Sequence, residues 1–194
     1  MPQLSTAVEV GAPLLNEIIS RLDEERRWVV LDLGPARGAT IERLGQLRCR
    51  LDIADLPARL PELEKVEDPE QRVSLLGADF PPARGEPADL VLCWTLINYL
   101  DQQTLPLLAK SLANRCRPNA SIHALVEYQA THMPVRPRPV TIAAGNQISY
   151  PQDMARQIQA PRYSPRELGR LMPGLGIERT MLLGNGMQEF LFRV

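Results

Sequence analysis

The stretch "VVLDLGPARGAT", residues 29 to 40, constrains this chain more than any other. A β-branched apolar run too short for a helix breaks at Gly34-Pro35-Ala36-Arg37-Gly38, and the chain then resumes with helical spacing. A strand that turns through glycine into a helix is the first half of a βαβ unit, whose strand is buried on both faces of a parallel sheet. Glycine lets backbone approach a ligand closely, and the first N–H groups of the next helix have no intrahelical acceptor. The bend can therefore hold something polar beyond the carboxyl end of its strand.

The rest of the chain repeats the same alternation. Residues 6 to 27 carry Val8, Val10, Leu14, Leu15, Ile18, Ile19 and Leu22 at approximately helical spacing, which predicts an amphipathic lead-in helix. A first strand is expected over about Trp28 to Leu33, then a helix from Ala39 with Ile41, Leu44 and Leu47 on one face, then a second strand in "RCRLDIAD". "LPARLPELEKV" reads as a helix interrupted at Pro61, "RVSLLGADF" as a third strand, and "PPARGEPA" as a loop. A central strand over roughly Leu90 to Cys93 precedes a helix with Asp101 as its N-cap and Pro106 near its first turn, and "RPNASIHALVEY" completes the next turn and strand. Residues 129 to 163 break the rhythm with several prolines, and a loop this long suits a cover over a site. "SPRELGRLM" opens with a capping box of Ser164 and Glu167 around Pro165. "IERTMLLG" and "MQEFLFRV", parted by Asn185-Gly186, read as an antiparallel hairpin. With 194 residues, 44% of them hydrophobic, one domain spanning 1 to 194 is expected, an α/β three-layer sandwich.

Several functions are disfavoured. No stretch reaches the roughly 18 apolar residues of a membrane span, and no export signal opens the chain, so a cytoplasmic protein is expected. Cys49, Cys93 and Cys116 lack CxxC spacing and His123 and His132 lack a ligand pattern, so no metal site is expected. A net charge of −1 and the lack of an appended nucleic-acid module argue against nucleic acid. The C-terminal third is nevertheless locally basic, with Arg136, Arg138, Arg156, Arg162, Arg166 and Arg170 against Asp153 and Glu167. The glycines do not spell the GxGxxG of a dinucleotide site, and no GxxxxGK string occurs.

What "LDLGPARGAT" resembles is the first motif of the class I S-adenosylmethionine-dependent methyltransferases: Asp32, Gly34 and Gly38 match it, and Ala36 stands where the family has a middle glycine. The resemblance runs from about residue 28 to 194 and implies a Rossmann-like, mostly parallel seven-stranded sheet, its seventh strand inserted between the fifth and sixth. It implies S-adenosylmethionine as cofactor, held by Asp32 and the turn residues Gly34, Pro35, Ala36 and Gly38. Asp55, roughly twenty positions beyond Gly34, would bind the ribose hydroxyls, with Asp52 as the competing candidate. Asp79 and Phe80 would flank the adenine, and Cys93, Trp94 and Thr95 would lie at the methionine end. The implied reaction is methyl transfer to a small-molecule acceptor, which needs alignment more than acid–base machinery. If the acceptor loses a proton, Glu127, Tyr128 and His132 are at hand. The arginines of 129 to 163 would suit an anionic group on the acceptor, and the lead-in helix could pair two copies as a homodimer. A different class of reading is a methyltransferase-like binding or scaffold protein without catalysis; a nicotinamide oxidoreductase is disfavoured by the glycine spacing and the terminal hairpin.

Overall fold

The computed structural model describes residues 7–22, 26–78, 80, 86–152 and 156–194. Its strands are β1 (Ala7–Val10), β2 (Trp28–Asp32), β3 (Cys49–Ile53), β4 (Ala88–Trp94), β5 (Cys116–Glu127), β6 (His132–Pro134), β7 (Thr141–Ile142), β8 (Ile148–Pro151), β9 (Gln157–Gln159), β10 (Gly176–Leu182) and β11 (Met187–Arg193). The helices are α1 (Pro13–Ser20), α2 (Gly38–Gly45), α3 (Leu60–Leu63), α4 (Pro69–Ala78), α5 (Thr104–Arg115) and α6 (Pro165–Leu171).

Among the described residues the central sheet has six strands, in the order β10-β11-β5-β4-β2-β3. β3, β2, β4 and β5 are parallel, while β11 runs antiparallel to both β5 and β10. Strand alternation splits the apolar residues between two faces. Val29, Leu31, Val91, Cys93, Ile122 and Phe190 pack under α5 and α6. Val30, Leu90, Leu92, Leu125 and Leu191 pack against α1 and the 140–150 region. From β2 the chain goes outward to β3 and later returns to β4 on the other side, so strand order reverses between β2 and β4. In open α/β sheets ligands settle at such a reversal, beyond the strand carboxyl ends.

Three expectations are corrected. The predicted lead-in helix over 6–27 is strand β1 followed by α1, with residues 23–25 outside the described set. Gly11 and Pro13 explain the break, because proline belongs in a helix's first turn and ends what precedes it. Helix α1 is then fixed to the sheet by Glu189 of β11, fully buried, whose carboxylate accepts from Leu14 N (3.0 Å) and Leu15 N (2.8 Å) and bonds His123 Nε2 (2.8 Å). The predicted third strand in "RVSLLGADF" is the body of α4, so the sheet does not reach seven strands among the described residues. Asp68 Oδ2 accepts from Gln71 N at the start of α4, and Arg72 and Leu76, one turn apart, turn inward. Arg72 reaches Val66 O through Nε and Thr104 Oγ1 and Asp101 through Nη1, contacts that a strand would not make.

The segment over 129–163 is not irregular. It carries β6 paired with β9, and β7 and β8 in a three-stranded sheet of order β1-β8-β7. The chain's own N-terminal strand completes that cover, Val8 opposite Tyr150. Thr40 of α2 accepts from Ile142 N (3.2 Å), which seats the cover on the helix that follows the glycine turn.

Candidate functional site

The switch point is formed by the carboxyl ends of β2, β3 and β4. Asp32, 3% exposed, closes β2, and its Oδ1 accepts from Gly34 N (2.8 Å) and Trp94 Nε1 (2.6 Å). Burial pushes its carboxyl pKa up to about 6; the two donors oppose that rise and the nearby Asp55 carboxylate adds to it. Asp55 follows β3 with a left-handed φ of 39°, which non-glycine residues seldom adopt, and its half-buried carboxylate has no hydrogen-bond partner among the described residues. The competing Asp52 is engaged elsewhere, accepting from Arg50 (2.8 Å) and Arg115 (3.3 Å).

The glycine turn divides into two parts. At Gly34 the space a side chain would occupy is filled by Trp94: an added Cβ would lie 2.7 Å from the indole Cδ1. Trp94 itself ends β4 at a φ of 48°, a strained setting for a bulky residue, and is 5% exposed. Gly34 therefore accommodates the Trp94 indole where a Cβ would stand. Gly38 is different: it is exposed, has nothing within 4 Å of an added Cβ, and begins α2, whose N-terminus has no side-chain cap. Pro35 is half-buried and Ala36 exposed between them. The free N–H groups at this helix start attract negative charge.

The remaining candidates are spread more widely. Phe80 is half-buried against the core beside α5, and Asp79 lies outside the described residues. Cys93 is 1% exposed in the core on the α5 face, its thiol pushed up by burial. Thr95 borders a second space under the cover, a cavity of ≈ 10 Å³ shared with Tyr99, Glu127, Arg138, Tyr150 and Met187. Its Oγ1 is buried without a partner among the described residues.

That chamber is held together by Asn98. Its Nδ2 donates to Thr95 O and Leu125 O (both 2.9 Å), and its Oδ1 accepts from Glu127 N (2.9 Å), which fixes the ends of β4 and β5 side by side. Burial raises the Glu127 pKa and the Arg138 guanidinium opposes the rise. Arg138 stands 5.3 Å from the Tyr150 ring centroid, and Tyr150 Oη accepts from Asn185 Nδ2 (2.8 Å). Tyr99 Oη lies within donating distance of Pro134 O (2.9 Å) and Arg136 O (3.0 Å), and burial pushes the phenol pKa up. Of the proton-accepting candidates, Glu127 faces the chamber, whereas Tyr128 and His132 are exposed.

The arginines are dispersed. Arg162 donates to Tyr128 O (3.0 Å), and Arg156, Arg166 and Arg170 are exposed. Arg136 lines a cavity of ≈ 250 Å³ with Pro57, Glu64 and Tyr99. Sequence reasoning placed Arg138 among the arginines on the acceptor side but missed Tyr150 as its neighbour, because their meeting depends on tertiary packing of β8; the one local signal was "RPRPV", where flanking prolines hold Arg138 extended. No cluster of metal-ligating side chains occurs among the described residues, and none of their helices is long and apolar enough to cross a membrane.

No protein-family model and no curated protein matches the sequence. Solved structures do. An S-adenosylmethionine-dependent methyltransferase from Clostridium acetobutylicum superposes over 93% of this chain and 89% of its own, with a TM-score of 0.54 and 12% identity. The N-methyltransferase NodS from Bradyrhizobium japonicum matches over 92% of this chain and 93% of its own, at TM-score 0.50 and 15% identity. The pyocyanin biosynthetic protein PhzM matches over 93% of this chain at TM-score 0.50 and 16% identity, and the chain spans 54% of that protein. NodS is also known in complex with S-adenosyl-L-homocysteine. The fold is thus that of the class I S-adenosylmethionine-dependent methyltransferases.

Proposed function

We propose that the chain is a methyltransferase that binds S-adenosylmethionine across the ends of β2 and β3 and methylates a small molecule entering from the β4 and β5 side. One observation carries this reading: Asp32 and Asp55 stand at the carboxyl ends of the paired strands β2 and β3, and neither is in an ion pair among the described residues. Two such acids suit a ligand with an ammonium group and a vicinal diol, and the uncapped start of α2 suits its carboxylate.

In this reading Asp55 grips the ribose and Asp32 the ammonium, while the backbone of Gly34, Pro35, Ala36 and Gly38 borders the chain between them. Trp94 walls the methionine end and Thr95 leads into the acceptor side. Phe80, with Asp79, flanks the adenine. When bound, the cofactor supplies an activated methyl on a sulfonium, so the protein's work is alignment and exclusion of water. The β-rich cover over 129–163 acts as the lid, and Arg136 faces an anionic group on the acceptor.

Isothermal calorimetry with S-adenosylmethionine, S-adenosylhomocysteine and NAD tests the proposal. Binding of the first two, and not of NAD, with a loss on Asp55→Ala, is the expected result. Silence to all three would return the chain to the reading of a binding or scaffold protein.

A further inference from the structure

The chamber beneath the cover has features that the binding of cofactor leaves unused. It lies at the ends of β4 and β5, one residue past Trp94, and presents a buried hydroxyl without a partner at Thr95, a buried unpartnered Nε at Arg138, and the Glu127 carboxylate, which makes no hydrogen bond among the described residues. Buried polar atoms are almost always satisfied, so two orphans around one small space mark a place where a polar group belongs. The space, ≈ 10 Å³, holds about one water or one small head group. Tyr99 is a wall of this chamber and also of two larger cavities, ≈ 250 Å³ beside Arg136 and ≈ 530 Å³ along β9 and Met133. Tyr99 is thus common to the chamber and to both larger spaces, the side from which an acceptor would send in a slender polar arm.

Resting on the methyltransferase reading above, we infer that the chamber receives the amino group of the acceptor and that Glu127 is the catalytic residue that meets it. A neutral amine attacks through its nitrogen lone pair: the N–CH3 bond forms as the C–S bond breaks with its electron pair going to sulfur, and the positive charge passes from sulfonium to nitrogen. The proton stays on the product ammonium and is given up to water after release. A carboxylate accepting an N–H bond at that nitrogen becomes more favourable as the charge develops, which is transition-state stabilisation. An oxygen acceptor needs the opposite environment. A phenol must lose a proton of pKa ≈ 10 before attack, a carboxylate is too weak a base to take it, and the resulting oxyanion would face Glu127. Arg138, another wall of the chamber, opposes the rise that burial imposes on the Glu127 carboxyl, and the two form no ion pair among the described residues. Asn98 acts as a positioning residue by fixing the Glu127 and Thr95 backbones.

Sinefungin, the cofactor analogue that carries an amine-bearing carbon in place of the methylsulfonium, puts an ammonium where the methyl would point. Wild-type protein should bind it about tenfold more tightly than S-adenosylhomocysteine, the worth of one charge-assisted hydrogen bond. In Glu127→Gln that preference should fall to less than about twofold, with S-adenosylhomocysteine still bound as by wild type, which also shows that the variant is folded. Equal binding of the two ligands by wild type, or a preference that survives in Glu127→Gln, overturns the inference and leaves the cofactor reading standing. Failure of wild type to bind either ligand removes the cofactor reading and this inference with it.

Discussion

Two acids sit inside apolar strands at different places in the same sheet, and they are provided for very differently. Glu189 on β11 is fully buried and supplied with two backbone N–H groups of α1 and the ring of His123. Asp32 on β2 is nearly as buried, but both donors converge on one oxygen and its nearest charged neighbour is another carboxylate. The first acid completes a helix start, and its geometry needs nothing from outside. The second is held in an environment that a cation would relieve. Burial of an acid is thus no sign of function by itself; the useful distinction is whether the fold supplies its partners.

The largest effect that would break this comparison concerns Glu189. Glu189→Ala should cost about 3–5 kcal/mol in urea unfolding, since it leaves two buried N–H donors and His123 unsatisfied; a loss under about 1 kcal/mol would mean that the helix start is solvated instead. Next comes Asp32. Its folded-state pKa lies above its unfolded value, so the native protein retains a proton that the unfolded chain has lost, and stability falls as pH rises from about 4 to about 6. The fall attributable to this group is about 2–3 kcal/mol. Asp32→Asn should flatten that part of the urea midpoint against pH profile, and an unchanged slope would place the pH dependence elsewhere.

A binding measurement sharpens the same contrast. Asp55→Ala should weaken S-adenosylhomocysteine by about 10- to 100-fold, the loss of hydrogen bonds to a charged group, while the melting temperature stays within a few degrees. If affinity is kept and stability drops, Asp55 belongs with Glu189 as a structural acid. The smallest effect is expected at Arg136, exposed beside its cavity: Arg136→Ala should change stability by less than about 0.5 kcal/mol and S-adenosylhomocysteine binding not at all, with any loss confined to turnover of the acceptor.

The sequence made the core strands β2, β3, β4 and β5 legible because local rules decide them: short apolar runs closed by glycine, acid or proline. The turn at Gly34 to Gly38 was readable for the same reason. "RVSLLGADF" misled because a strand and a helix can share a short apolar pattern, and the deciding signal stood just upstream, where Asp68-Pro69-Glu70-Gln71 spells a helix start. The contact of Trp94 with Gly34 and the clamp at Asn98 could not be read at all, and of the Arg138–Tyr150 wall only Arg138 between its prolines stood out. Each joins residues from different elements, and their meeting follows from packing that no local period encodes.

Strand β1 has one more consequence, and it concerns the ribosome. Val8 is synthesised well before Tyr150, its partner in β8. Strand β1 must therefore wait, without its β8 partner, until synthesis has passed Tyr150, and the cover over the β4 and β5 ends is sewn shut late. Premature release of the chain would leave an apolar edge free to stick to whatever strand comes first.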